Sequence, residues 1–261
     1  MFKKLYIADK KAKIAQFMSG SGTNVIKVLE QEKKLGKKCP YETVVIVTDN
    51  KKSKALEIGN IYDKPVIEFD IRDFQESKGL SRKLTLATQE YRKVREEYTN
   101  KLSEILFNLF TIDFAVFGGF EPLTNITKYI PCLNVHPGDL SYLKNGKRHL
   151  VGLYTIPIQK AIDERIGYVR SSVIQAMPYT GRGENMDDGP LLGLGPKLLY
   201  ENKRDTKKIQ NALKKVSDWV ILPAVVLATA QGKIEVNYKT NEVKNQIVMD
   251  LEYRISEIMP E

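Results

Sequence analysis

The chain has 261 residues, 42% of them hydrophobic and 28% charged, enough to bury a sizeable core. No stretch nears the roughly 18 apolar residues of a membrane span, and the N-terminal "MFKKLYIADKKAKIAQFMSG" starts basic but lacks a signal peptide's apolar core. Two cysteines, Cys39 and Cys132, argue against a disulfide framework or a cysteine-rich zinc site, so a reduced, cytoplasmic setting is expected. The net charge of +9 invites an anionic partner, yet lysines alternate with acids, as in "RKVREEYTNKLSE". That pattern reads as solvated helix faces rather than a nucleic-acid stripe, and a small anionic substrate suits the charge equally well.

In chain order, the apolar run Ile14 to Met18 predicts a strand, and Val25, Ile26, Val28 and Leu29 recur behind a Gly/Ser cluster at helical spacing. "YETVVIVTDN" predicts a second strand, "SKALEIGNIYD" a helix and "KPVIEFD" a third strand. The segment from Ser81 to Phe110 predicts one long amphipathic helix. "IDFAVFGGF" and "CLNVHPGDL" predict two more strands, joined by a short helical linker. Further on, "VGLYTIPIQKAIDE" predicts a helix whose first turn is near Gly152. "YVRSSVIQAM" and "PLLGLGPKLLY" predict strands either side of a Gly-rich loop. "TKKIQNALKKVSDWVILPAVVLATAQGKI" predicts a long helix interrupted or bent at Pro223. Strands alternating with helices imply an α/β protein, a Rossmann-like, doubly wound and mostly parallel sheet flanked by helices. One α/β domain over 1–240 is expected, with a C-terminal extension over 241–261 ending in a short helix.

Three pieces carry chemistry. "SGSGTN", Ser19 to Asn24, joins a strand to a helix, where unpaired backbone N–H groups and the positive end of the helix dipole attract phosphate. A plain tight turn with a Thr or Asn cap explains it equally well. In "NVHPG", Asn134 and His136 are two apart, so on a strand both point to one face. An amide donor beside an imidazole suits acyl transfer, and a histidine that caps a strand end is the bland alternative. In "MDDGPLL", Asp187 and Asp188 precede a Gly-Pro and a strand. A carboxylate reaching a histidine would orient it and favour its charged form, while paired acids before Gly-Pro are also ordinary turn chemistry.

Together "SGSGTN", "VFGGF", "NVHPG" and "DDGP" stand in the order and approximate spacing of the folate-dependent formyltransferases, and the chain most resembles those acting on glycinamide ribonucleotide. The resemblance runs from about Lys13 to Ile234. It implies transfer of a formyl group from 10-formyltetrahydrofolate to the amine of glycinamide ribonucleotide in purine biosynthesis, with no metal. It assigns catalysis to Asn134, His136 and Asp187, with a protonated His136 and Asn134 stabilising the oxyanion of a tetrahedral intermediate. Substrate phosphate is assigned to Gly22, Thr23 and Asn24, a substrate contact to Asp218 (where the family has Glu), and folate to Phe120, Glu121 and Asp188. Implied partners are a phosphorylated amine and folate, with no membrane or nucleic acid, for a monomer or homodimer.

Departures from the family pattern bear on the pockets. Gly138-Asp139-Leu140-Ser141 follows the His-Pro in place of Ser-Leu-Leu-Pro, and Glu121-Pro122 replaces a Met-Arg. Ile156 and Ile174 stand where histidines are usual, and the loop over 178–187 is enlarged. A different acceptor, such as an amino-sugar nucleotide or another phosphorylated amine, is the alternative reading. A nucleotide- or nucleic-acid-binding protein on the same fold is the non-enzymatic one. His149, in "KNGKRHL", is expected to be a bystander in a solvated loop.

Overall fold

The run Ala12–Met18 is buried everywhere except at Lys13, and it becomes β1, the centre of a parallel sheet. The structure, a computed structural model, describes residues 1–183, 185–200 and 205–258. Packing divides the chain into two compact units. One comprises Ala8–Asn134 and Ala176–Met186, the other Met1–Ile7, Val135–Gln175 and Asp187–Glu261.

In the first unit, β1 is followed by α1 (Thr23–Leu35), β2 (Tyr41–Thr48), α2 (Ala55–Tyr62), β3 (Val66–Glu68), α3 (Ile71–Ser77), α4 (Gln89–Leu109) and β4 (Phe114–Phe117). The strand β5 (Cys132–His136) ends the series, and the unit boundary falls after its Asn134. The order is β5-β4-β1-β2-β3, all parallel. From β1 the chain winds outward through β2 and β3, then returns to the other side as β4 and β5. The crevice beyond the carboxyl ends of β1 and β4 is therefore a topological switch point, where open α/β sheets bind ligands. Both faces of the central strands are covered, so β1 and β2 read as apolar runs rather than alternating ones.

Helix α4 buries Val94, Tyr98, Leu102 and Leu106, one residue per turn. The Tyr98 ring stacks on Phe69 at 4.9 Å, and its hydroxyl donates to the Phe69 carbonyl at 2.6 Å. The helix begins at Gln89, not at Ser81 as the sequence pattern suggests. Arg92 Nη1 donates to the carbonyls of Leu86 and Ala87, holding that stretch out of the helix. The short α3, capped by Asp70 on the N–H groups of Arg72 and Asp73, was not expected from the sequence.

The second unit contains α5 (Ile156–Asp163), β6 (Tyr168–Gln175), β7 (Leu191–Leu199), α6 (Thr206–Leu213) and α7 (Trp219–Ala230). Strands β6 and β7 pair antiparallel, and Ile247–Val248 and Glu252–Arg254 add to β7 in parallel. Thus the 241–258 segment forms short strands as well as the expected last turn of helix, Ile255–Ile258. Leu150, Ile158, Val169, Leu198, Ile209 and Leu213 form the core. Parallel pairing predominates and helices flank the strands, the fold class expected from the sequence.

Two helical expectations shift. Gly152 and Tyr154 have φ of 124° and 56°, which a right-handed helix cannot absorb, so α5 starts at Ile156 with a proline in its first turn. The long C-terminal helix is interrupted by a π-helical turn at Lys214–Asp218, ahead of Pro223, which lies inside α7. Gly195 of β7 lets that turn approach: a Cβ there would lie 2.2 Å from Ser217 Oγ.

Gly22, the N-cap of α1, has φ 66°, and a Cβ would meet Ile58 Cδ1 at 2.5 Å and Met18 Cε at 2.6 Å. Gly22→Ala should lower the urea unfolding free energy by about 1–3 kcal/mol, through left-handed strain plus crowding. An unchanged urea midpoint would contradict this account of the turn.

Candidate active site

At the carboxyl end of the first unit's sheet, Ser19 joins three loops. Its hydroxyl donates to Asp49, just past β2, and accepts the N–H of Glu121 at 2.8 Å. Its carbonyl accepts Asn50 Nδ2 at 2.8 Å, and its N–H reaches the Gly119 carbonyl at 2.9 Å. Ser19 thereby fixes the "SGSGTN" turn against the segment after β4. Arg72 sits between two acids, 3.7 Å from Asp49 and 3.5 Å from Glu121. Burial is the main force lifting Asp49 to about 6, opposed by the Ser19 hydrogen bond and by Arg72.

Beyond Ser19, no side chain caps α1, so the leading N–H groups of Thr23, Asn24 and Val25 face the turn as helix geometry leaves them. Asn24 is 8% exposed and its Oδ1 has no hydrogen-bond partner. A small pocket of about 50 Å³ opens nearby in the same unit, lined by Phe117, Phe120, Glu121, Met177, Tyr179 and Asn134 among others. Its walls are flat rings and thioethers, with one carboxylate and one amide.

Two residues after Asn134 the chain has entered the second unit, where His136 is 3% exposed. Its Nε2 is 2.8 Å from the Leu150 carbonyl, which can only accept, so Nε2 carries a proton and donates. Nδ1 faces Asp187 Oδ1 at 3.5 Å. With Nε2 protonated, a proton between Nδ1 and Asp187 is what keeps two lone pairs from opposing each other. Burial pulls the imidazole below its ordinary pKa; Asp187, the Leu150 carbonyl and Asp218 pull upward, and Arg148 pulls downward. Asp187 thus favours the charged imidazole, as expected, while burial, the larger influence, opposes it.

The surroundings hold this pair in place. Asp187 Oδ2 accepts the Gly152 N–H at 3.2 Å, and Arg148 Nη1 donates to the carbonyls of Asp187 and, at 2.8 Å, Gly189. Gly138 leaves room for the ring: a Cβ there would lie 2.5 Å from the Leu150 oxygen and 2.9 Å from His136 Nε2. Asp218, 5% exposed at the end of the π turn, accepts the Ser171 hydroxyl.

No family model matches the chain, and no curated protein matches it by sequence. Solved structures do. Phosphoribosylglycinamide formyltransferase from Anaplasma phagocytophilum matches with a TM-score of 0.67 at 15% identity, covering 94% of this chain and all of that one. The Coxiella burnetii protein gives 0.64 at 16% identity over 90% and 93% of the two chains. The one from Bacillus halodurans gives 0.59 at 21% identity over 84% and 94%. The chain has the phosphoribosylglycinamide formyltransferase fold.

Within that fold, the residues marked by sequence fall into separate groups. His136, Asp187 and Asp218 share the second unit, while Gly22, Thr23, Asn24, Phe120, Glu121 and Asn134 lie in the first. Asp188 is exposed, and its carbonyl accepts Asn241 Nδ2 at 3.2 Å. The "KNGKRHL" stretch is a two-stranded hairpin with left-handed Asn145 and Gly146, which aims Arg148 at the Asp187 backbone. His149 pairs with Glu164 at 3.2 Å beside Lys144. Sequence reasoning passed over Asp49, Arg72 and Ser171; a polar residue closing the apolar run of β2 was the available signal for Asp49. Among the described residues, no group of three or more His, Cys, Asp or Glu could hold a metal ion.

Asp49 gives stability a pH signature. Its folded value of about 6 exceeds the ordinary carboxylate value of about 4, so its contribution is full below pH ~4 and is lost as pH rises through ~6. Wild type should therefore lose up to about 3 kcal/mol over that window relative to Asp49→Asn, read by urea unfolding at several pH values. A pH-independent gap between the two proteins would refute the buried-acid account.

Proposed function

We propose that the protein is a folate-dependent formyltransferase whose acceptor is the amine of glycinamide ribonucleotide. The observation that carries the reading is the buried His136–Asp187 pair with Asn134 two residues before it on one strand. Buried ionisable pairs at the carboxyl edge of an α/β sheet are where proton-transfer chemistry is expected. The structural neighbours are phosphoribosylglycinamide formyltransferases by name, and they support this choice of chemistry.

In this reading the acceptor amine attacks the formyl carbon of 10-formyltetrahydrofolate, forming one N–C bond. The bond from that carbon to the folate nitrogen then breaks, and the amine's proton ends on the leaving nitrogen. Asn134 supplies an amide donor for the oxyanion that develops at the formyl oxygen. His136 and Asp187 hold one proton between them; lending it to the leaving nitrogen makes the pair one unit more negative until the attacking amine's proton replaces it. The Leu150 carbonyl and Gly138 fix the ring's orientation.

Gly22, Thr23 and Asn24 are the proposed phosphate contacts, on the strength of the uncapped helix end. Asp218 is the proposed anchor for a donor group of the acceptor. Phe120 and Glu121 are proposed for folate: the pocket's rings suit a flat heterocycle, and the carboxylate suits the amino edge of a pterin. Asp188, exposed, is retained only as a contact from the loop's outer side. An acceptor other than glycinamide ribonucleotide is the second reading, favoured by Glu121-Pro122, which stand where the family carries Met-Arg in the folate segment, with the Glu121 carboxylate in the pocket lining. A cytoplasmic monomer or homodimer remains the proposal for its setting.

Formyl release from a 10-formylfolate analogue, followed by absorbance, tests this. Release should require glycinamide ribonucleotide and fall about 10²- to 10⁴-fold in His136→Ala. Release that is equal in the two proteins would sink the assignment of His136. No release with the ribonucleotide despite folate binding would move the acceptor to another amine.

A further inference from the structure

Strands β6 and β7 fall out of step at one place. Leu194 pairs with Ser172 and Lys197 with Arg170, so Gly195 and Pro196 together stand opposite Ser171. That is a β-bulge, which bends the strand that carries it and re-aims its neighbours. Pro196 has no N–H to give and Gly195 no side chain, so the ladder is completed from outside. The Ser171 N–H donates to Ser217 Oγ at 2.9 Å, and the Ser171 hydroxyl donates to Asp218. Both acceptors belong to the π-helical turn Lys214–Asp218, and both serines are fully buried.

The C-terminal segment braces the other side of this bulge. Ile247–Val248 pair with β7 before it and Glu252–Arg254 after it. The Met249 N–H donates to the Leu194 carbonyl at 3.0 Å, and the Lys197 N–H to the Leu251 carbonyl at 2.8 Å, so the segment is bonded on both flanks. Arg170, 6% exposed, closes the arrangement. Its Nε donates to the Gly195 carbonyl at 2.8 Å and its Nη2 to the Met249 carbonyl at 3.2 Å. Bonds from a charged donor are stronger than neutral ones, and a planar guanidinium fixes both carbonyls at once.

We propose that Arg170 is a positioning residue for the acceptor side of the site, through which the C-terminal segment sets where Asp218 stands. Met249 holds Arg170, and Arg170 holds the Gly195 carbonyl. The bulge seats Ser217, and Ser217 and Ser171 together place the Asp218 carboxylate. An apolar side chain of similar bulk at residue 170 would leave both carbonyls unanswered and the bulge free to relax into the ladder. This role rests on the proposed function, in which Asp218 anchors a donor group of the acceptor. It brings in a part of the chain outside the family pattern, since the resemblance ends near Ile234 and Met249 lies beyond it.

Steady-state formyl release by Arg170→Met tests it. The KM for glycinamide ribonucleotide should rise about tenfold, with kcat and the KM for the formyl donor within about threefold of wild type, the split expected when a contact made equally in ground and transition states is lost. Arg170→Lys, which keeps a charged donor without the fork, should fall between the two proteins. Ser217→Ala cuts the same path without touching the guanidinium and should raise the same KM, which keeps the test open should Arg170→Met not fold. A merely structural Arg170 predicts a lower melting temperature with both KM values unchanged, and that result would overturn the proposal. Should wild type release no formyl group with this acceptor, the proposed function fails, and Arg170 is then read through His136. Asp218 pulls the His136 pKa upward, with Asp187 and the Leu150 carbonyl and against burial and Arg148. The chain has two histidines, so NMR titration resolves this one. Arg170→Met and Ser217→Ala should each lower its pKa, and an unchanged value in both would overturn the proposal.

Discussion

The hydrogen bond from His136 Nε2 to the Leu150 carbonyl constrains much of the second unit's site. Because that acceptor has no proton to give, it fixes the tautomer and turns Nδ1 toward Asp187. The carbonyl must then stand where a Cβ on residue 138 would be, which makes glycine obligatory there. Gly152, at φ 124°, turns the chain after Leu150 so that its own N–H meets Asp187 Oδ2. Arg148 ties down the backbone on which Asp187 sits. A single donor–acceptor choice at one imidazole thus accounts for two glycines, an arginine and a hairpin that have no other evident connection.

Ser19 does comparable work in the first unit with a hydroxyl. It donates once and accepts once, so it can link only loops that bring complementary groups, and the partners here are the Asp49 carboxylate and the Glu121 N–H. The cost is a buried acid, partly relieved by Arg72. A group that would rather be neutral at the edge of a ligand crevice responds to whatever charge arrives beside it. An anion near the α1 terminus would reinforce the protonated form, and a cation the ionised one.

Much of this architecture was legible in the sequence because period and punctuation agree. The apolar runs at Ile14 and "YETVVIVTDN" and the strand-turn-helix at "SGSGTN" are strong local signals, and the first unit's parallel order follows from their alternation with helices. The His136–Asp187 contact was not legible from spacing, since 51 intervening residues place no limit on distance; the resemblance supplied the pairing. Two misreadings share a cause. The helix starts at Ser81 and Gly152 were drawn from apolar periodicity, but Arg92 bonds and positive φ angles decide those boundaries, and both depend on contacts beyond the window. The π turn at Lys214–Asp218 was hidden for the same reason. Nothing in "KKVSD" departs from helical composition, yet packing against Gly195 is what it serves.

The departures from the family pattern then divide by physical consequence. Gly138-Asp139 is a local rebuilding: Asp139 is 1% exposed and accepts the Ser141 N–H at 2.9 Å and the Tyr168 hydroxyl at 3.0 Å, so it satisfies its turn from within. Such a change can leave the chemistry at His136 untouched. Glu121 is of another kind. Its carboxylate lines the pocket and shares Arg72 with Asp49, so it alters the field any ligand meets there. Tyr179, which lines the same pocket, also stacks its ring on Arg95 at 4.1 Å. The buried His136–Asp187 pair and the Glu121 carboxylate belong to different units, while Asn134 lines the pocket and stands two residues from His136 on one strand. Glu121 can therefore change the charge of that pocket without touching the hydrogen bonds that hold His136 and Asp187.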